Sequence, residues 1–280
     1  MKNMNNKAFD LDAYLARLNH SGPVRPTQAC LEALHRAQLY TIPFENFDIQ
    51  LGRGISLEPE ALCDKLVHRA RGGYCFELNG LFLMALRAIG FEARPLLGRV
   101  HLVEPPSGRE HLFLLVTLQG RPWIADVGFG GPGFRAPIPF ELDRPTSHDG
   151  LTFRLVEAGP FGVMLQALKQ GQWLDLYSFD LGHVFPADIA LGNHFTSTHP
   201  GSLFTFARVV ALPTPGGRVS LLNRTLRAVS EGAEQVWELA EGQAYLDALK
   251  THFGIELDAP YEALRPLPGA KQGKGPALEW

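Results

Sequence analysis

Arg71-Gly72-Gly73-Tyr74-Cys75-Phe76-Glu77-Leu78-Asn79 divides the chain into two kinds of pattern. The paired glycines permit a tight turn with close backbone approach. Directly behind them Leu78, Leu81, Phe82, Ala85 and Ile89 recur at helical spacing, and Gly90 is placed to close the run. The spacing predicts a helix beginning at Cys75. A thiol in a first helical turn faces unpaired N–H groups and the positive end of the macrodipole, and both favour the reactive thiolate. The same N–H groups can hold a developing oxyanion. The position suits a nucleophile; it also suits a small buried hydrophobe, the common fate of a free cysteine.

Upstream of this stretch the grammar is helical. Leu11, Tyr14, Leu15 and Leu18 form one stripe that stops at Ser21-Gly22. Thr27 can cap a second helix with Cys30, Leu31, Leu34 and Ala37 on its apolar face, and Pro59 opens a third with Leu62, Leu66 and Ala70. Downstream, short runs of alternating or β-branched residues separated by Gly and Pro read as strands: 94–103, 112–118, 123–127, 153–156, 163–168 and 173–179. Gln119-Gly120 reads as a hairpin turn. From Gly201 the pattern mixes strands (204–212, 218–222) with a late helix carrying Tyr245, Leu246, Leu249 and Phe253 and ending at Gly254. Helices, then strands, then a mixed segment predict an α+β fold without the βαβ alternation of a doubly wound sheet. The expected divisions are 1–90, a helical bundle with Cys75; 91–200, an antiparallel barrel or sandwich; and 201–280, an α/β lid with a disordered tail over 268–280.

The charge balance narrows the function. Twenty-six basic and 29 acidic residues leave a net charge of −3, without the basic excess of a nucleic-acid binder. The longest apolar stretch, 78–91, is interrupted by Asn79 and Arg87, so no membrane span is expected. Three cysteines, Cys30, Cys63 and Cys75, without a CxxC pair speak against a disulfide framework or a cysteine-rich metal site and for a reducing, cytoplasmic setting.

A nucleophilic cysteine needs a base, and the base an orienting acceptor. Of the ten histidines, His20, His35, His68 and His252 fall in helical segments and read as structural. His111 opens a strand after the loop 104–110. One hairpin later Asp126 ends the strand Trp123-Ile124-Ala125 at the turn Val127-Gly128-Phe129-Gly130-Gly131, so the two can be cross-strand neighbours. His101 competes for the base but has no aspartate at matching register. The glycine turn 128–133 follows a strand but lacks the Lys-Ser/Thr of a phosphate loop; it reads either as a plain turn or as a means of bringing substrate or backbone close to the thiol.

These residues resemble the arylamine N-acetyltransferases, in particular the bacterial type. The resemblance is carried by Ile42-Pro43-Phe44-Glu45-Asn46, the cysteine stretch, Leu97-Gly98-Arg99-Val100, the block 124–131, and Ser197-Thr198-His199-Pro200-Gly201-Ser202-Leu203-Phe204, in the family's order. It implies a helical bundle, a central antiparallel β-barrel and a C-terminal α/β lid around a core like that of cysteine proteases and transglutaminases. It also implies a Cys75–His111–Asp126 triad, acetyl-CoA as cosubstrate and no metal. The acceptor would be an arylamine, hydrazine or N-hydroxyarylamine, and the protein a monomer or homodimer acting on neither nucleic acid nor membrane. Matching positions make Phe44, Val100, Phe129 and Phe204 the apolar walls of the substrate site and Gly130, Gly131 and Thr198 the coenzyme contacts. The short loop before His111 departs from the family pattern, and Glu110 replaces the usual Ser or Thr. The alternatives are a thiol hydrolase or amide synthase on the same triad, and a binding module with a structural Cys75.

Overall fold

The computed structural model describes residues 9–267; the tail expectation over 268–280 falls outside them. The helical part comprises α1 (Leu11–Arg17), α2 (Gln28–Thr41), the short strand β1 (Phe44–Glu45), α3 (Phe47–Gln50), α4 (Pro59–Leu62), a π-helical turn over Cys63–His68, and α5 (Cys75–Ile89). Thr27 caps α2 through its hydroxyl, which accepts the Cys30 N–H, and Gly90 ends α5 in the left-handed region at φ 98°. The buried residues of α5, Leu78, Leu81, Phe82, Ala85 and Leu86, form the centre of the first core with Tyr14, Leu31, Leu34 and Leu66.

Strands β2 (Glu92–Val100), β3 (Arg109–Leu118), β4 (Arg121–Ala125), β5 (Ile138–Pro139), β6 (Thr146–His148), β7 (Leu151–Glu157), β8 (Val163–Lys169) and β9 (Gln172–Phe179) form one antiparallel sheet. Its order is β5-β4-β3-β2-β9-β8-β7-β6. Leu142, just past β5, bridges to Leu155 of β7 and draws the two margins of the sheet together into a nearly closed barrel. β3 shows why one sheet serves two cores: Leu112, Leu114 and Val116 pack on α5, while Phe113 and Leu115 face the barrel interior.

The remainder is α6 (Pro186–Thr198), α7 (Leu203–Phe206), β10 (Val209–Thr214), β11 (Gly217–Leu222), β12 (Thr225–Ser230), β13 (Ala233–Glu238) and α8 (Gln243–Phe253). Strands β10 to β13 make a second antiparallel sheet whose far neighbour is β1, with Phe44 opposite Ala211 and Glu45 opposite Val210. The expected strand 204–212 is shorter than its sequence suggests, because its first residues form α7. The Phe204 and Ala207 carbonyls are taken by the side-chain amides of Asn46 and Gln50 at 2.7–3.1 Å. Those carbonyls are therefore satisfied without a strand partner. The expected strand 94–103 likewise stops at Val100. Among the described residues no helix is long and apolar enough to cross a membrane.

Candidate active site

Helix α5 begins at Cys75 because the chain before it is pinned on both sides. A Cβ on Gly72 would stand 2.2 Å from the Pro43 carbonyl oxygen, so only glycine allows that approach. Gly73 forms a parallel bridge with Phe44. At the helix start Glu77 Oε2 accepts the Tyr74 N–H at 3.0 Å, satisfying one donor of the first turn. Glu77 Oε1 is 2.7 Å from Lys65 Nζ, which also meets Asp48 at 2.7 Å, and Arg71 pairs with Glu45 at 2.7 Å. Removing one member of such a buried network leaves an uncompensated charge and is costly, whatever the network adds in net stability.

Cys75 is 4% exposed, and its Sγ lies 3.8 Å from the Glu110 carbonyl oxygen. His111 Nε2 is 2.7 Å from Asp126 Oδ2. Cys75 is also among the groups that act on the imidazole and raise its pKa. The sheet register explains the pairing. β3 and β4 match Leu114 with Ala125, so Asp126 falls beside Phe113, and His111 is the next side chain on that face. The ring is enclosed by Phe113, Phe129 and Tyr177, with centroids 5.9, 5.1 and 4.9 Å away.

Burial alone would lower the imidazole's pKa. The charge of Asp126, its hydrogen bond and the Cys75 contact outweigh burial and raise it to about 10. Burial would conversely raise Asp126, but His111, the Gly128 N–H and the Asn79 amide hold its carboxyl below the usual range. The arrangement can therefore keep a proton on His111, with the Asp126 carboxylate stabilising the imidazolium beside the Cys75 thiol.

Two residues that the sequence reading did not assign to the site fix Asp126. Asn79 Nδ2 donates to Asp126 Oδ1 at 3.0 Å and to the Leu112 carbonyl at 2.8 Å, while its Oδ1 accepts the Val127 N–H at 3.0 Å. His35, read as structural, is fully buried, and its Nε2 accepts the Asp126 N–H at 3.2 Å. Burial pushes its pKa down to about 4, which keeps it a neutral acceptor. An amide inside the apolar run of α5 was the available signal for Asn79. No local signal ties His35 to a residue so distant in sequence. His101 instead bonds Ser178 Oγ at 2.8 Å and packs on Phe161.

A cleft of about 290 Å³ opens on Cys75 and His111, and Phe44, Val100, Phe129, Gly130 and Phe204 all line it. Gly130 also lines an adjoining cavity of about 200 Å³ that contains Gly131, Asp126, Arg135 and Arg218. Thr198 lines neither cavity; it is exposed and its hydroxyl bonds the His194 carbonyl at 2.6 Å. Of the three expected coenzyme contacts, Gly130 and Gly131 thus face cavities and Thr198 does not.

An N-acetyltransferase family model matches residues 27–261. The chain is 40% identical over 253 residues to the arylamine N-acetyltransferase / N-hydroxyarylamine O-acetyltransferase of Salmonella typhimurium, covering 88% of each chain. The solved arylamine N-acetyltransferase structure from Salmonella typhimurium superposes with a TM-score of 0.85 at 34% identity, over 96% of this chain and 95% of that one. The Mycobacterium marinum arylamine N-acetyltransferase in complex with CoA gives a TM-score of 0.82 at 36% identity, over 88% and 93%.

Proposed function

This chain belongs to the arylamine N-acetyltransferase family, and from that premise we propose that Cys75, His111 and Asp126 carry acetyl groups from acetyl-CoA to aromatic amines, hydrazines or N-hydroxyarylamines. The carrying observation is the contiguous set Cys75–His111–Asp126, with the 2.7 Å His111–Asp126 contact and the thiol at a helix N-terminus beside an aromatic cleft.

In this reading the Cys75 thiolate attacks the thioester carbonyl, forming an S–C bond. N–H groups at the start of α5 stabilise the tetrahedral oxyanion. Collapse breaks the bond to the coenzyme's sulfur, and His111 gives its proton to the departing thiolate. The acceptor nitrogen then attacks the acetyl group on Cys75 and loses a proton to His111 as the C–S bond breaks. Thiolate and imidazolium are thereby restored, and ping-pong kinetics follow.

The apolar walls Phe44, Val100, Phe129 and Phe204 suit the flat ring of the acceptor. The adjoining cavity fits an anionic coenzyme: Arg135 and Arg218 line it, and Arg218 Nε has no partner. The working compartment in this reading is the reducing cytoplasm, consistent with three unpaired cysteines.

Intact-mass measurement tests the reaction. Acetyl-CoA alone is expected to add one acetyl group at Cys75, and an arylamine to remove it as acetylarylamine. An adduct discharged equally fast by water would favour the hydrolase. Absence of any adduct would overturn the transferase mechanism.

A further inference from the structure

Among the described residues that line the cleft, Glu110 carries the one carboxylate, and none is lysine or arginine. It directly precedes His111, and its carbonyl oxygen lies 3.8 Å from Cys75 Sγ. The side chain is half-buried, with Ser107, His111 and His199 as its electrostatic neighbours and the Tyr74 phenol nearby. Burial pushes its carboxyl upward, while the Ser107 hydroxyl and the two imidazoles oppose the shift. Aromatic side chains otherwise dominate the cleft: Phe44, Phe129, Phe195, Phe204 and Phe206.

The geometry points to Glu110 as the residue that selects acceptors by charge: it excludes aromatic amines bearing a carboxylate and favours neutral or cationic ones. This assignment rests on the acetyl-transfer reading above and names the acceptor class for that same site. In the acetyl-enzyme the cysteine no longer carries a charge, and His111 is without its proton at the moment it takes one from the acceptor. Two carboxylates then remain at the reacting end. Asp126 is held by His111, Asn79 and the Gly128 N–H, whereas Glu110 lines the cleft itself. A second carboxylate brought within a few ångströms of it, in a space of intermediate dielectric, meets repulsion of the order of tenfold or more in the equilibrium constant. No guanidinium or ammonium group on the cleft wall is available to offset it.

The test uses near-isosteric acceptors of graded charge: aminobenzoate, aminobenzamide and aminobenzamidine, in both 3- and 4-substituted series. Carboxamide and amidinium withdraw electrons from the ring more strongly than an ionised carboxylate, so intrinsic nucleophilicity favours the benzoate, and a preference for the amide or amidine reports on the site. Measured at about pH 8, well above the ordinary carboxylate range, the amide and amidine are expected to be acetylated with kcat/KM about tenfold or more above the benzoate. Glu110→Gln keeps the shape and hydrogen-bonding capacity, and Glu110→Thr supplies a second neutral side chain should the first misfold. In either variant the amide-to-benzoate ratio is expected to fall about tenfold or more below its wild-type value. The ratio within one variant cancels any common effect on Cys75 or His111.

A wild-type enzyme without discrimination, or a ratio unchanged in both variants, overturns the assignment of Glu110 and leaves acetyl transfer standing. Failure of all six amines with no acetyl adduct on Cys75 overturns the transfer reading itself, and the Glu110 assignment with it.

Discussion

Asn79→Ala separates the support of Asp126 from the reacting groups. The substitution removes three hydrogen bonds of 2.8–3.0 Å without touching Cys75 or His111. Its clearest casualty is the Val127 N–H, a buried donor that would be left without a partner. That loss alone costs about 1–3 kcal/mol. The Leu112 carbonyl and Asp126 Oδ1 each lose one donor; Asp126 Oδ1 keeps the Gly128 N–H at 3.0 Å, so its loss is partial. The sum is about 2–4 kcal/mol of unfolding free energy, readable as a shift in urea midpoint with unchanged slope. The effect on turnover is separate. With one of its side-chain anchors gone, Asp126 holds His111 less firmly, and kcat is expected to fall about 10- to 100-fold, with a smaller change in the arylamine KM. Stability from urea titration and rates from coenzyme-thiol release are measured on the same preparation, well below the unfolding transition. Full stability loss with wild-type kcat would show that Asn79 only packs the core and would refute its positioning of Asp126.

The other predictions concern pH. The folded pKa of His35 is depressed below the unfolded value, so the unfolded chain binds the extra proton, and stability is complete above about pH 6.5 and lost as pH falls toward about 4. The drop is about 3 kcal/mol, and urea titrations across that window in the wild type and in His35→Gln should show the slope only where the imidazole is present; equal slopes would remove His35 as its cause. At neutral pH iodoacetamide alkylation of Cys75 is expected to be slower in His111→Gln than in the wild type, because the imidazolium beside the thiol persists up to about 10. Equal rates in the two proteins would contradict the pairing of His111 with the thiol.

The three residues of the proposed triad were legible because each sits at a local break in pattern: Cys75 behind two glycines, His111 after a loop, Asp126 before a glycine turn. The parts that escaped are those determined by distant packing. His35 looks like any polar residue on α2 until the chain brings it against a backbone N–H near β4. Helix α6 escaped because it is largely exposed and buries only Thr196 and Ser197, so it shows no apolar stripe. Phe204 reads as strand by composition, and only the amides of Asn46 and Gln50 turn that segment into a helical turn. The β-barrel was readable strand by strand, but its near closure through Leu142 and Leu155 was not.

The two-residue strand Phe44–Glu45 has a consequence for how the enzyme comes into being. It bridges Gly73 beside the nucleophile and pairs with Ala211 and Val210 in the last sheet. Contacts of such sequence separation form late, since loop closure must precede their reward. A nascent chain can therefore fold much of its helices and barrel while Phe44, which lines the cleft beside Cys75, still lacks its sheet partner. Competence to transfer would then await the pairing of β1 with β10. A chain ending before β10 should accordingly be partly folded and catalytically silent.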